Sequence, residues 1–196
     1  MPEAFDLNES LRKDWGERGM RLVFDLIANH SWWVSPKIYR KIPVVYPKSR
    51  RRQGSEKRGQ VVDGIRLWYN ESAQRAFWIA LGCRKPKHSV ICHIYEESVG
   101  NPKHFTNLAN LIALPTCLGS LSEWEPVQSL LKYHSFRVFG YTGPKEKVPT
   151  KPKYYPAPKA WRHQENPTNV DELVEKLKRQ RSLRPQGSRS PTIHRR

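Results

Sequence analysis

Residues 90–115 read VICHIYEESVGNPKHFTNLANLIALP, and two short runs inside them decide the fold. Residues Ser89–Ile94 are rich in β-branched and apolar side chains and predict one strand. Leu111–Leu114 predict a second, stopped by Pro115, and the loop between the two carries Asn107 and Asn110. A helix is expected soon after. Ser122 has the character of a cap, Glu125 stands three residues on as its capping-box partner, and Pro126 suits a first turn. Val127, Leu130, Leu131 and Phe136 then turn toward a core and Gly140 ends the pattern. The order is strand, loop, strand, helix, with His93 closing the first strand and Asn110 opening the second.

The rest of the chain sets the context for this unit. Its 196 residues suit one compact domain with modest extensions rather than a two-domain enzyme. Lys and Arg number 35 against 18 Asp and Glu, a net charge of +17 that points to a polyanionic partner, nucleic acid before an anionic membrane surface. The charge is unevenly spread. Residues Leu81–Pro144 hold six Lys or Arg and four Glu, whereas Lys176–Arg196 hold eight basic residues and no acid. A reaction centre is therefore expected in the nearly balanced middle, with basic arms supplying phosphate contacts. The start MPEAFDLNES lacks a basic-then-apolar leader, and no run approaches the roughly 20 apolar residues of a membrane span, so a cytoplasmic protein is expected. Cys83, Cys92 and Cys117 cannot all pair and lack disulfide spacing, which agrees with a reducing compartment.

Four segments follow from composition. Residues 1–60 supply a helix over 11–30, with Leu22, Val23, Leu26 and Ile27 at helical spacing, then an aromatic stretch cut by Pro36, Pro43 and Pro47 that predicts short extended pieces. Lys48–Arg58 carry six basic residues and one acid and predict an exposed loop in which Arg50, Arg51, Arg52, Lys57 and Arg58 contact phosphates. Residues 61–141 form the core; within them Asn70 is a candidate cap for a helix with Ala73, Ala76, Phe77 and Ala80 on one face, closed by Gly82. Residues 142–166 are a Pro- and Lys-rich strap. Residues 167–196 hold a last helix, with Thr168 and Asp171 as a capping pair and Val170, Leu173, Val174 and Leu177 on one face, and then a basic tail expected to be disordered.

The "CHI" of residues 92–94 and the "NLIALP" of 110–115, followed by a capped helix, resemble the His-Me finger nucleases and, within them, the HNH endonucleases. The resemblance spans roughly Val90–Phe136. It implies an α+β fold with a small ββα-metal core, extra helices and extended basic arms, and a metal-dependent cleavage of DNA. His93 takes the place of the general base, Asn110 that of the asparagine that positions it, and Asn107 and Glu123 are candidate metal ligands. The chemistry suits these residue types. A neutral imidazole, with an ordinary pKa of about 6.5, can take a proton from water. Carboxylate and carboxamide oxygens suit Mg²⁺, which offsets charge on the phosphate. Cys92 stands where an acidic metal ligand is common in the family, and a thiolate favours Zn²⁺ over Mg²⁺. No histidine or asparagine stands near Gly119 for the family's third position, so Glu123 or Glu125 is the candidate there.

Other readings of the same letters differ in what they require. Cys83, His88, Cys92 and Cys117 could supply four ligands for a structural Zn²⁺, but their spacing is weak, they contain no CxxC knuckle, and three buried free cysteines explain the same letters. His93 and the asparagines also suit a hairpin in which they only satisfy buried polar groups and turns. Trp32, Trp33, Tyr39 and Tyr46 precede the arginine cluster in a pattern compatible with base stacking, although core positions are expected for at least two. The functional alternative is a non-catalytic nucleic-acid-binding protein on a degenerate HNH-like fold, with DNA the expected partner and RNA the alternative.

Overall fold

The computed structural model describes residues 16–164 and 169–182. The expected first helical turns before Gly16, the Thr168 cap and the tail beyond Ser182 lie outside the described residues. The chain is a mixed α+β protein. In chain order its elements are α1 (Gly16–His30), β1 (Trp32–Trp33), α2 (Pro36–Lys41), β2 (Ser49–Arg51), β3 (Val61–Val62), β4 (Ile65–Trp68) and α3 (Glu71–Ala80). They continue with β5 (Ser89–His93), α4 (Pro102–Phe105), β6 (Leu111–Pro115), α5 (Thr116–Gly119), α6 (Glu125–Phe139), β7 (Arg162–His163) and α7 (Val170–Ser182).

Two small sheets result. The larger has the order β5-β6-β1-β7, so β5 is an edge. β5 and β6 pair antiparallel from Ser89 opposite Pro115 to His93 opposite Leu111, and Ile94 N–H donates to Asn110 O at 2.9 Å to extend the ladder by one step. The second sheet, β2-β4-β3, closes its β3–β4 hairpin with Asp63 and Gly64, both at positive φ (50° and 74°), the left-handed pair that a two-residue turn demands.

β6 explains why "LIALP" is continuously apolar rather than alternating. Leu111 and Ala113 face a core formed with α2, α3 and α7, while Ile112 and Leu114 face a second core formed with α1 and α6. Successive strand residues point to opposite faces, and here both faces are covered, so no polar position survives. Each of the buried Leu and Ile side chains contributes about 1.5–3 kcal/mol of burial. α6 is fastened to the start of this strand by Ser135 Oγ, which donates to Ala109 O at 2.6 Å.

Local signals fail in instructive places. The stretch expected to be only extended contains α2, because Ser35 Oγ accepts from Lys37 N–H at 3.2 Å and Pro36 sits at the first helical position, where its missing N–H has no bond to lose. The basic loop is partly β2, paired parallel with β4. Ser122 does not cap α6: its hydroxyl donates to Gly119 O at 2.7 Å, and Trp124 is the cap residue without a side-chain bond. Gly140 closes α6 in the left-handed conformation as expected, at φ 68°. α7 is capped by Asn169 Oδ1, which accepts from Glu172 N–H at 3.0 Å, and packs Val174 and Leu177 into the first core. Among the described residues no helix is long and apolar enough to cross a membrane.

Candidate active site at the edge of the sheet

His93 ends β5 with its ring parallel to that of Phe105, the centroids 5.9 Å apart and the planes 11° apart. Its Nε2 lies 3.1 Å from Phe105 O. A carbonyl oxygen only accepts, so Nε2 carries the proton and Nδ1 keeps a lone pair. The carbonyl is held in place because Phe105 closes α4, whose start is set by Asn101 Oδ1 accepting from Lys103 N–H at 2.9 Å and by Pro102. Burial pulls the His93 pKa below the ordinary value of 6.5; the Phe105 carbonyl opposes this, Arg51 adds to it and Glu96 opposes it. The imidazole is thus neutral at neutral pH, with one nitrogen committed and one available.

Asn110 is fully buried and spends its whole side chain on the loop around His93. Oδ1 accepts from Tyr95 N–H at 2.8 Å, and Nδ2 donates to Ser98 Oγ at 3.0 Å and to His104 O at 3.2 Å. It therefore grips the chain two residues beyond His93 and the peptide next to the carbonyl that holds the His93 ring. Its bonds go to the loop and not to the imidazole.

A cleft of about 320 Å³ borders β5 and is lined by Cys92 and His93, by Glu96, by Glu123 just before α6 and Gln128 in its first turn, and by Asn70 just before α3. Cys92 reaches Gly119 O at 4.0 Å. Burial pushes its thiol up, a Ser122 bond opposes this, and the charges of Glu123 and Glu96 raise it further, so Cys92 stays protonated. In this state the thiol faces the Gly119 carbonyl, and a metal would have to displace its proton to take it as a ligand. Asn70 was expected to cap α3, but its backbone is helical (φ −57°, ψ −20°) and its side chain makes no cap bond. Instead its Oδ1 is buried without a partner. Gln128 escaped the sequence reading, although its place three residues before Leu131 puts it on the flank of the core face of α6.

The remaining candidates are placed elsewhere or only partly at this cleft. Asn107 is buried as a turn cap, its Oδ1 accepting from Ala109 N–H at 3.0 Å, and its side chain also bonds Tyr39. It is not among the residues lining the cleft, so Glu123 reaches it without Asn107. Glu125 is exposed and accepts from Ser129 Oγ at 3.0 Å. Arg50 turns inward to a two-pronged pair with Glu56, at 2.5 and 2.8 Å, and that bond holds the Glu56 carboxyl down at about 2. Arg50 thus braces its own loop. Arg51 lies 3.3 Å from Glu96 at the cleft, and Arg58 lies 3.3 Å from Glu71, the neighbour of Asn70. Arg52 donates to Gly54 O and Glu56 O and lies over the Tyr69 ring; Lys57 is exposed.

The donor set discriminates between metals. Among the described residues no three His, Cys, Asp or Glu side chains come together as a metal-holding group, and Cys83 and Cys117 are both exposed free thiols. The four residues considered for Zn²⁺ therefore do not assemble, and two of the three cysteines are not buried. The cleft is lined instead by oxygen donors, the carboxylates of Glu96 and Glu123 and the carboxamides of Asn70 and Gln128, the donor type that suits a hard cation such as Mg²⁺. Comparison with known proteins finds no matching family model, no matching curated protein and no matching solved structure.

Proposed function

We propose that the cleft beside β5 hydrolyses phosphodiester bonds in DNA, on a ββα-metal core of the His-Me finger type formed by β5, β6 and α6. The observation that carries this reading is the fixed tautomer of His93: Nε2 donates to Phe105 O, Nδ1 is left as a base, and burial keeps the ring neutral. His93 Nδ1 would take the proton from an attacking water. Phe105 O steadies the ring as it becomes charged, because Nε2–H is then the donor of a charge-assisted bond. Asn110 keeps that carbonyl in place through His104 O. Arg51, paired with Glu96 of the cleft, would meet a phosphate oxygen. Glu123 and Glu96, with Asn70 and Gln128, would hold a hydrated Mg²⁺, whose contribution when bound is to offset charge gathering on the phosphate and leaving oxygen.

Purified protein with Mg²⁺ or Mn²⁺ is expected to nick a supercoiled plasmid. The His93→Ala variant should lose this activity by about 10²–10⁴-fold, the range general-base catalysis supplies, while retaining salt-sensitive DNA binding. A plasmid left intact with every divalent metal would sink the hydrolytic reading. One observation favours a second reading, a DNA-binding protein without turnover: among the described residues no three acidic, His or Cys side chains converge on a metal. In that case the net charge of +17 still demands salt-sensitive binding.

A further inference from the structure

The other end of the β5–β6 hairpin borders a second cavity that the proposed reaction does not use. It measures about 430 Å³, and its lining includes Trp32, Trp78, Pro86 and Leu114 together with the exposed Arg84 and Lys87. Of the four aromatic residues at 32, 33, 39 and 46, Trp33 and Tyr46 are buried and Tyr39 is half-buried against the core, whereas Trp32 is 51% exposed. The Trp32 backbone is fixed in the sheet between Ala113 on one side and Arg162 on the other, and the Arg162 guanidinium lies 6.0 Å from its ring centroid. Trp78 is only 7% exposed, yet its Nε1–H is buried without an acceptor. An unmet indole donor beneath an apolar wall is costly.

We propose that this cavity is a subsite for an unpaired base of a DNA strand. The base stacks on Trp32, and Arg84, Lys87 and Arg162 take the flanking phosphates. Bases within a duplex are already stacked and paired, so the subsite selects single-stranded stretches. Its cationic rim fits a polyanion and opposes a second copy of this chain, which carries the same charge of +17. From Ser89 to His93 is four strand steps, about 13 Å, so a strand seated here runs toward the cleft at His93. The choice of DNA rests on the function proposed above; the stacking does not.

The test is binding in the presence of a chelator, with a labelled oligo-dT strand, a duplex of equal length and an oligo-rU strand as probes. Trp32→Ala should weaken oligo-dT binding about tenfold and duplex binding less than twofold, and Trp32→Phe should keep most of the affinity. Arg84→Ala, in an exposed turn whose loss cannot unfold the sheet, should lower the salt slope on oligo-dT by about 0.7. Equal losses on both DNA forms, no loss at all, or an unchanged salt slope overturn the subsite, and tighter binding of oligo-rU overturns its assignment to DNA. An intact plasmid together with the Trp32 effect sinks hydrolysis and supports the subsite; nicking without the Trp32 effect does the reverse.

Discussion

The two ends of the β5–β6 hairpin are built on opposite principles. At the loop end, one imidazole is surrounded by fixed donors and acceptors: Phe105 O on its Nε2, and Asn110 bonded to Tyr95, Ser98 and His104. At the far end the wall is apolar and aromatic, a half-exposed Trp32 faces solvent, and the cations around it are long, exposed side chains. A group that must transfer a proton needs its tautomer and direction decided beforehand. A surface that receives a base needs area and charge, both of which tolerate variation in the ligand. The contrast separates variants that change rate from variants that change affinity.

The largest effect should fall on the loop end. His93→Ala is expected to cost 10²–10⁴-fold in nicking, about 3–5 kcal/mol in the barrier, with binding to plasmid DNA retained. Comparable losses in binding and rate would mean that the two ends are not separate. Next comes Asn110→Ala, which leaves a buried Tyr95 N–H, Ser98 Oγ and His104 O without their partner. Unfolding by urea should show a loss of about 3 kcal/mol, and His93 should titrate closer to its ordinary value as the loop loosens. A variant that melts normally and keeps the His93 titration unchanged would show that Phe105 O holds the ring unaided.

How far these ends were legible in the sequence depended on whether the signal was local. β5, β6, α3 and α6 follow from apolar patterning, and the two-sided burial of β6 is already present in four consecutive apolar letters. The partners of polar groups were not legible. Asn107 and Asn110 look alike in "NLAN", yet one caps a turn and the other spans a loop, because the direction of each side chain is set by the 3₁₀ turn Leu108–Asn110 between them. Arg50 and Arg51 are identical letters on one strand, β2. Alternation turns Arg50 to Glu56 and Arg51 to Glu96, a distinction made by residues 6 and 45 positions away. Asn70 and Ser122 looked like caps, and their backbones gave that role up, freeing Asn70 Oδ1 beside the cleft.

Acid distinguishes the two ends through two histidines. His134 lies beneath the β1 end, stacked on Trp161 with centroids 3.6 Å apart, bonded to Tyr155 and 2.9 Å from His163 Nε2. Burial above all, with help from His163 and Arg137, depresses its pKa to about 2; His93 is depressed in the same direction. Each group is neutral in the fold when its unfolded counterpart begins to protonate near 6.5, so the unfolded state binds more protons below that pH. Stability is therefore complete above pH 6.5 and falls as the pH drops below it, by about 1.4 kcal/mol per pH unit per proton. His134→Gln should flatten the loss between pH 6.5 and 5.5 measured by thermal melting. It should leave the acid limb of nicking, set by His93, in place below 6.5. A limb that moves with His134→Gln would tie the two ends into one titrating unit.

The smallest expected effect is also the sharpest check on which asparagine matters. Asn107 is three residues from Asn110 and equally polar, but its Oδ1 meets a single backbone donor, Ala109 N–H, and its remaining contact is with Tyr39 on the side facing α2. Asn107→Ala removes a turn cap, worth about 1 kcal/mol, and leaves every bond around His93 in place. Asn107→Asp keeps the acceptor and should restore most of that loss. Nicking by both variants, measured well below the melting temperature, should stay within twofold of the unmodified protein. If Asn107→Ala instead lowers nicking by tenfold or more while Asn107→Asp restores it, the carboxamide oxygen reaches the reaction after all, and the cleft must extend around Phe105 to the face that now holds Tyr39.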